Sequence, residues 1–267
     1  ADITFLLREQ RKQLIDREGL TIETPTDSFN LRVATVSARD LKPEFDLIVF
    51  APKAYDLEDT LTSVAGASSR GFILPLLNGL DHMDVLDQRF GRERVLGGVA
   101  HIAAMISPSG SVKRLSDLHM LTVGPRATGQ ESVARAFHAL CERTPFDRAY
   151  SDNIEQSLWD KWVFLASLAA MTTLFHGSVG KIVATPYGHE LNLQTYAECC
   201  EVAARCGVVT INGNPAFEFR RNGLLQYRKV RIATEEGGKS FQRDRKGVET
   251  CLFLEHMLET DPDPSSP

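Results

Sequence analysis

Lys161, Asn78, Arg8 and Lys53 are the residues whose type and setting could do chemistry. Lys161 lies in IEQSLWDKWVFLASLAAMTTLF (154–175), a stretch without a charged residue from Trp162 to Phe175. At helical spacing it shares a side with Leu158, Leu165 and Leu168. An ammonium group on such a face is partly desolvated, which moves a pKa that is ordinarily about 10 toward neutrality and makes the group a usable proton donor. A lysine snorkelling from the rim of a core helix fits the same pattern, so the assignment needs support from elsewhere in the chain. Arg8 ends ITFLLR, Lys53 follows DLIVFA and a proline, and Asn78 follows FILPLL. In open parallel sheets ligands bind outside the carboxyl ends of the strands. A guanidinium in that place could take the 2′-phosphate of a dinucleotide in a bidentate contact, and Lys53 could add charge. Solvated loop residues and an Asn-Gly turn are the plainer readings of the same three positions.

The elements that must hold these residues alternate along the first half of the chain. ITFLLR reads as a buried strand, Glu9–Glu18 as a short helix, and 20–24 with 29–36 as a hairpin-like pair of more exposed strands. DLIVFA and FILPLL are near-continuous apolar runs of the kind found in parallel sheets covered on both faces. Helices are expected at about 56–65, 83–90 and 130–142; after the second of these come 95–105, a turn at Pro108-Ser109-Gly110 and a strand at 120–123. This alternation predicts an α/β fold, a doubly wound parallel sheet with right-handed crossovers. Past Pro145 the pattern becomes helical. Ser151 or Asp152 can cap the helix carrying Lys161, with Glu155 placed to complete a capping box. Further helices are expected at 179–185 and 190–206, the latter stopped by Gly207. The expected domains are 1–147, sheet-based, and 148–260, helical, followed by a tail, 261–267 (DPDPSSP), that is disordered by composition.

With 267 residues, 43% hydrophobic and 24% charged, the chain has enough apolar content for a sizeable core. A net charge of -5 argues against nucleic acid or an anionic membrane as the main partner, because both need excess Lys and Arg on one face. Small anionic ligands need only a local positive site and remain open. The uncharged run in 162–175 falls short of the roughly 18–20 residues that span a bilayer. Five cysteines without CxxC spacing point to neither a disulfide framework nor zinc, and a reducing cytoplasm fits them best. Seven scattered histidines likewise lend no support to a metal site.

The blocks ADITFLLR, DLIVFAPKAY, ILPLLNGL, GGVAHIAA and, above all, IEQSLWDKWVFLASLAAMTTL resemble the ketopantoate reductase (2-dehydropantoate 2-reductase) family, in consistent order over residues 2 to about 206. The resemblance implies an N-terminal Rossmann domain, an all-helical C-terminal domain of 6-phosphogluconate-dehydrogenase-like type, and a site in the cleft between them. It implies NADPH as cofactor and a small 2-keto acid as substrate, with the product pantoate leading to coenzyme A. Residue by residue, it makes Lys161 the general acid and Asn78 a contact to both cofactor and substrate. Arg8 and Lys53 become cofactor-side cations, and Ala103 a backbone contact to the cofactor. SFQRD (240–244) is similar to the family's S-x-x-x-D; Ser240 would then bind substrate and Glu249 a cofactor hydroxyl, with Glu249 about three residues early.

Two departures matter. No GxGxxG occurs, so if ITFLLR is the second strand of a Rossmann sheet, the first strand, glycine loop and first helix are expected upstream of Ala1. Many family members carry asparagines four and eight residues after the lysine, where this chain has Leu165 and Ala169. A non-catalytic relative that binds no NADPH, a different reductase of the same two-domain plan, and a homodimer all stay open.

Overall fold

The apolar runs DLIVFA and FILPLL become short parallel strands because their β-branched and aromatic side chains suit a pleat buried on at least one face, whereas ITFLLR, expected to be a buried strand, is exposed at Ile3 and Phe5 and half-buried at Leu6. The computed structural model describes residues 2–65, 67 and 70–207, together with the strands Phe217–Phe219 and Leu225–Tyr227. Strand β1 (Thr4–Leu6) leads into helix α1 (Glu9–Glu18), which ends at Gly19 with φ +85°. A hairpin follows, β2 (Leu20–Glu23) against β3 (Ser28–Leu31), and β4 (Ala34–Val36) then returns to pair with β1 in parallel. The single strand expected over 29–36 is therefore two strands in two different sheets. The chain leaves one ladder at Arg32 and enters the other, a change that alternation of residue types does not reveal.

Strand β5 (Leu47–Phe50) pairs in parallel with β6 (Phe72–Pro75), and α2 (Leu57–Val64) makes the crossover between them. After α3 (Asp81–Phe90), a long antiparallel pair is formed by β7 (Gly97–Ile106) and β8 (Val112–Gly124). Helix α4 (Glu131–Leu140) leads to β9 (Asp147–Tyr150), which adds to β8 in parallel. The order of the larger sheet is β3-β2-β8-β7, with β9 on β8. The parallel character expected from the sequence is thus confined to β1–β4, β5–β6 and the edges of β8, and the sheet as a whole is mixed.

Ile73, Leu74, Leu86, Val95, Leu96 and Ile154 are fully buried and form the centre of the first unit. Two glycines make room for Ile154. A Cβ on Gly97 would lie 2.5 Å from the Ile154 side chain, and one on Gly124 would lie 2.2 Å from the Ser151 carbonyl oxygen. The paired glycines of β7 and β8 therefore serve close packing.

The described chain forms two compact units, residues 1–158 and the residues from 159 onward. The division falls inside α5 (Ile154–Phe175), later than the boundary expected at 147. It does so because β9 is bonded to β8 and because Ile154 and Leu158 pack in the first unit's core. The second unit contains the rest of α5, α6 (Val179–Val183) and α7 (Gly188–Arg205), with Val163, Tyr196 and Ala203 at its centre. It also includes the antiparallel strands β10 (Phe217–Phe219) and β11 (Leu225–Tyr227), so it is not purely helical as expected. Among the described residues, no helix is long and apolar enough to cross a membrane.

Candidate active site

Helix α5 covers the stretch read as helical from the sequence, but its N-terminus is held differently. The Asn153 side chain accepts the backbone N–H of Gln156 at 3.3 Å, the bond a capping residue makes. Glu155 does not reach back to complete a capping box; its carboxylate receives a hydrogen bond from Arg92 and lies 3.5 Å from Arg126. Arg126, whose side chain is 4% exposed, makes two further bonds to Asp87 at 2.7 and 2.9 Å. Beside it, the buried Gln130 accepts the backbone N–H groups of Arg126 and Ala127 and donates to the carbonyls of Arg92 and Val95. None of this network was foreseen. Its members lie far apart in sequence, and only folding brings them together.

Lys161 sits two turns into α5, half-buried, and burial pushes its pKa down to about 8. On the same helix Leu158 is buried, and Leu165 and Leu168 are half-buried. Trp159 and Trp162 flank it in sequence and stack edge to face, with ring centroids 5.4 Å apart. The desolvated environment inferred from the uncharged run is therefore present, and it has the expected consequence for the ammonium group.

The strand-end residues occupy the carboxyl ends of three strands of the first unit. Arg8 follows β1 and donates to Asp56 at 2.6 Å, with Asp59 at 3.9 Å. The hydrogen bond that Arg8 donates to Asp56, and then the charge of that carboxylate, raise the pKa of the guanidinium. Arg8 lines a cleft of about 460 Å³ together with Arg39, Ser37, Pro52, Asp56 and Thr60. Lys53 is exposed at the end of β5, where its carbonyl accepts the backbone N–H of Asp56. Asn78 is exposed just past β6, ahead of Gly79 at φ +89°, a turn that favours glycine. Ala103 is buried in β7 at the point where the pairing with β8 shifts register, between Ile102 and Ala104. Such irregularities free backbone groups from the ladder. Ser240 and Glu249 lie outside the described residues.

Sequence reasoning missed Arg39, Asp56 and Asp59. The i, i+3 placement of the two aspartates at the start of α2 was the available signal, since it puts both carboxylates on the side of the helix that faces the strand ends.

Parallel strands with crossover helices and polar groups at the strand ends, followed by a second unit carrying a desolvated lysine, define a protein of the Rossmann-type oxidoreductase class. Within that class the chain belongs to the ketopantoate reductase family. Residues 1–127 match the family model "Ketopantoate reductase PanE/ApbA" and residues 153–244 match its C-terminal counterpart. The chain is 29% identical over 249 residues to the uncharacterized oxidoreductase YkpB of Bacillus subtilis, covering 91% of this chain and 81% of that protein. Its fold is similar to that of 2-dehydropantoate 2-reductase from Geobacter metallireducens, with a TM-score of 0.71 and 20% identity over 98% of this chain and 77% of the other. It is also similar to D-mandelate dehydrogenase solved with NADH and anilino(oxo)acetate, with a TM-score of 0.67 and 21% identity. That match covers 75% of this chain and 65% of the dehydrogenase.

Proposed function

We propose that the protein reduces the carbonyl of a 2-keto acid of the ketopantoate type, with NADPH as hydride donor and Lys161 as general acid. The carrying observation is the half-buried lysine, with its pKa lowered to about 8, on a helix that carries no charge from Trp162 to Phe175. Its positive charge stabilises the oxyanion that develops on the carbonyl oxygen, and its proton then completes the alcohol. NADPH supplies the hydride when bound. Arg8 and Arg39 suit the cofactor's adenosine phosphate, because guanidinium groups in a cleft with hydroxyl donors match a phosphate's acceptors. Lys53 adds charge beside them, Ala103 offers a backbone contact to the cofactor, and Asn78 orients nicotinamide and substrate. Ser240 and Glu249 keep the substrate and cofactor roles that the family resemblance implies for them. The D-mandelate dehydrogenase similarity, to a structure holding NADH and a keto-acid analogue, supports a nicotinamide cofactor and a 2-keto acid.

A second substrate reading has its own observation. Leu165 is half-buried and Ala169 exposed where many family members carry asparagines, which favours a 2-keto acid with an apolar side chain over a hydroxylated one. A panel of 2-keto acids with and without a 4-hydroxyl group separates the two.

Lys161→Ala tests the acid assignment. Turnover is expected to fall roughly 100-fold or more, while NADPH affinity, followed by fluorescence titration, changes little. Unchanged turnover removes Lys161 from the chemistry, and absence of NADPH binding to the unmodified chain makes it a non-catalytic relative.

A further inference from the structure

The cleft at the ends of β1 and β5 holds a competitor for the ligand proposed to bind there. Its lining includes two cations, Arg8 and Arg39, and three carboxylates, Glu9, Asp56 and Asp59. Formally this is +2 against -3, so a dianionic phosphate would enter surroundings with a charge of -1. The carboxylates are not evenly placed. Asp56 is bonded to the Arg8 Nη2 at 2.6 Å with its side chain 30% exposed, whereas Asp59 stands 3.9 Å away and is 83% exposed. Asp56 is also fixed by its backbone. Its N–H donates to the Lys53 carbonyl at 2.9 Å, and its own carbonyl accepts from the Thr60 hydroxyl at 2.8 Å. The carboxylate therefore starts α2 from an anchored position, already on the guanidinium that a 2′-phosphate would use.

We infer that Asp56 is the specificity-determining residue for the cofactor's adenosine ribose, weakening the 2′-phosphate's hold on Arg8 and so narrowing the preference for NADPH over NADH. This rests on the reading that Arg8 faces the adenosine phosphate. A 2′-phosphate must share the Arg8 donors with Asp56 or displace it, and in either case meets a like charge within a few ångströms. A ribose 2′-hydroxyl carries no charge and meets no such opposition. Asp59, more distant and more solvated, contributes in the same sense but less, because screening by water weakens it.

Calorimetric titration of the full chain with 2′,5′-ADP, 5′-ADP, NADPH and NADH tests this without relying on turnover. In Asp56→Asn, which keeps the shape and an oxygen acceptor for Arg8, affinity for 2′,5′-ADP and NADPH is expected to rise roughly 5-fold or more, equivalent to about 1 kcal/mol. Affinity for 5′-ADP and NADH should change less than about 2-fold. Asp59→Asn should give a smaller shift in the same direction, and it keeps the question answerable should Asp56→Asn fold poorly. Equal affinities in unmodified and substituted chains overturn the inference, as does weaker 2′-phosphate binding in Asp56→Asn, which would make Asp56 a positioner of Arg8. Arg8→Ala separates this outcome from failure of the underlying reading. If Arg8→Ala leaves 2′,5′-ADP affinity untouched, the cleft is not the adenosine phosphate site at all.

Discussion

A lysine whose pKa lies near 8 is a proton donor with a built-in pH limit. In the proposed mechanism the reduction needs the ammonium form, so kcat/KM is expected to be level at lower pH and to fall as pH rises through about 8, the value to which burial lowers Lys161. A pH profile of Lys161→Arg checks the origin of that fall. A guanidinium stays charged throughout, so whatever activity remains should not decline in the same window. The stability consequence has the opposite sign. Lys161 binds its proton less tightly in the folded chain than at its ordinary value of 10.5, so between about pH 8 and 10.5 the unfolded chain holds more protons and folding stability rises with pH. Below that window the cost of burying the charge is fully present. Lys161 could be picked out from sequence because its signal is local, fourteen uncharged residues following it on one helix. Asp56 could not, because its meaning depends on Arg8, 48 positions earlier.

Among the elements, α5 was legible as a helix through its apolar run and length, although its cap is Asn153 and not the Ser151 or Asp152 that the sequence suggested. What anchors it was not. The pairing of Glu155 with Arg92 and Arg126, and of Arg126 with Asp87, ties the start of α5 to α3 and to the segment between β8 and α4. Breaking one member should therefore cost more than a surface ion pair. Asp87→Ala leaves Arg126 buried without its bidentate partner, and a loss of about 3–5 kcal/mol is expected in denaturant unfolding. A loss under about 1 kcal/mol, the scale of an exposed pair, would show that water or Glu155 replaces Asp87. The β4 segment teaches the converse lesson. Ala34–Val36 has the composition of the hairpin it follows, yet it bonds to β1, because strand pairing is decided by which edge is free nearby and not by residue type.

At the scale of the whole molecule, the two parallel ribbons β1–β4 and β5–β6 are separate ladders among the described residues. Ile3, Phe5 and Val49 on them are 68%, 36% and 47% exposed. Strand β8, by contrast, has β7 on one side and β2 and β9 on the other. Hydrogen exchange should reflect this difference, with amides of β1 and β5 exchanging at least tenfold faster than those of Leu121–Val123, where pairing on both sides requires wider opening. Equal protection would mean that β1 and β5 have strand partners beyond the described residues. By itself, the sequence determined the types of most elements, though not of strand β9 or the first half of β8, together with the alternation that marks a Rossmann-type sheet and the lysine set among apolar side chains, because each is written in short-range periodicity and composition. Only the tertiary structure decided which strands share a ladder, where the two units divide, and which carboxylate faces Arg8. Those outcomes depend on groups far apart in the chain meeting in space, and local pattern carries no record of such meetings.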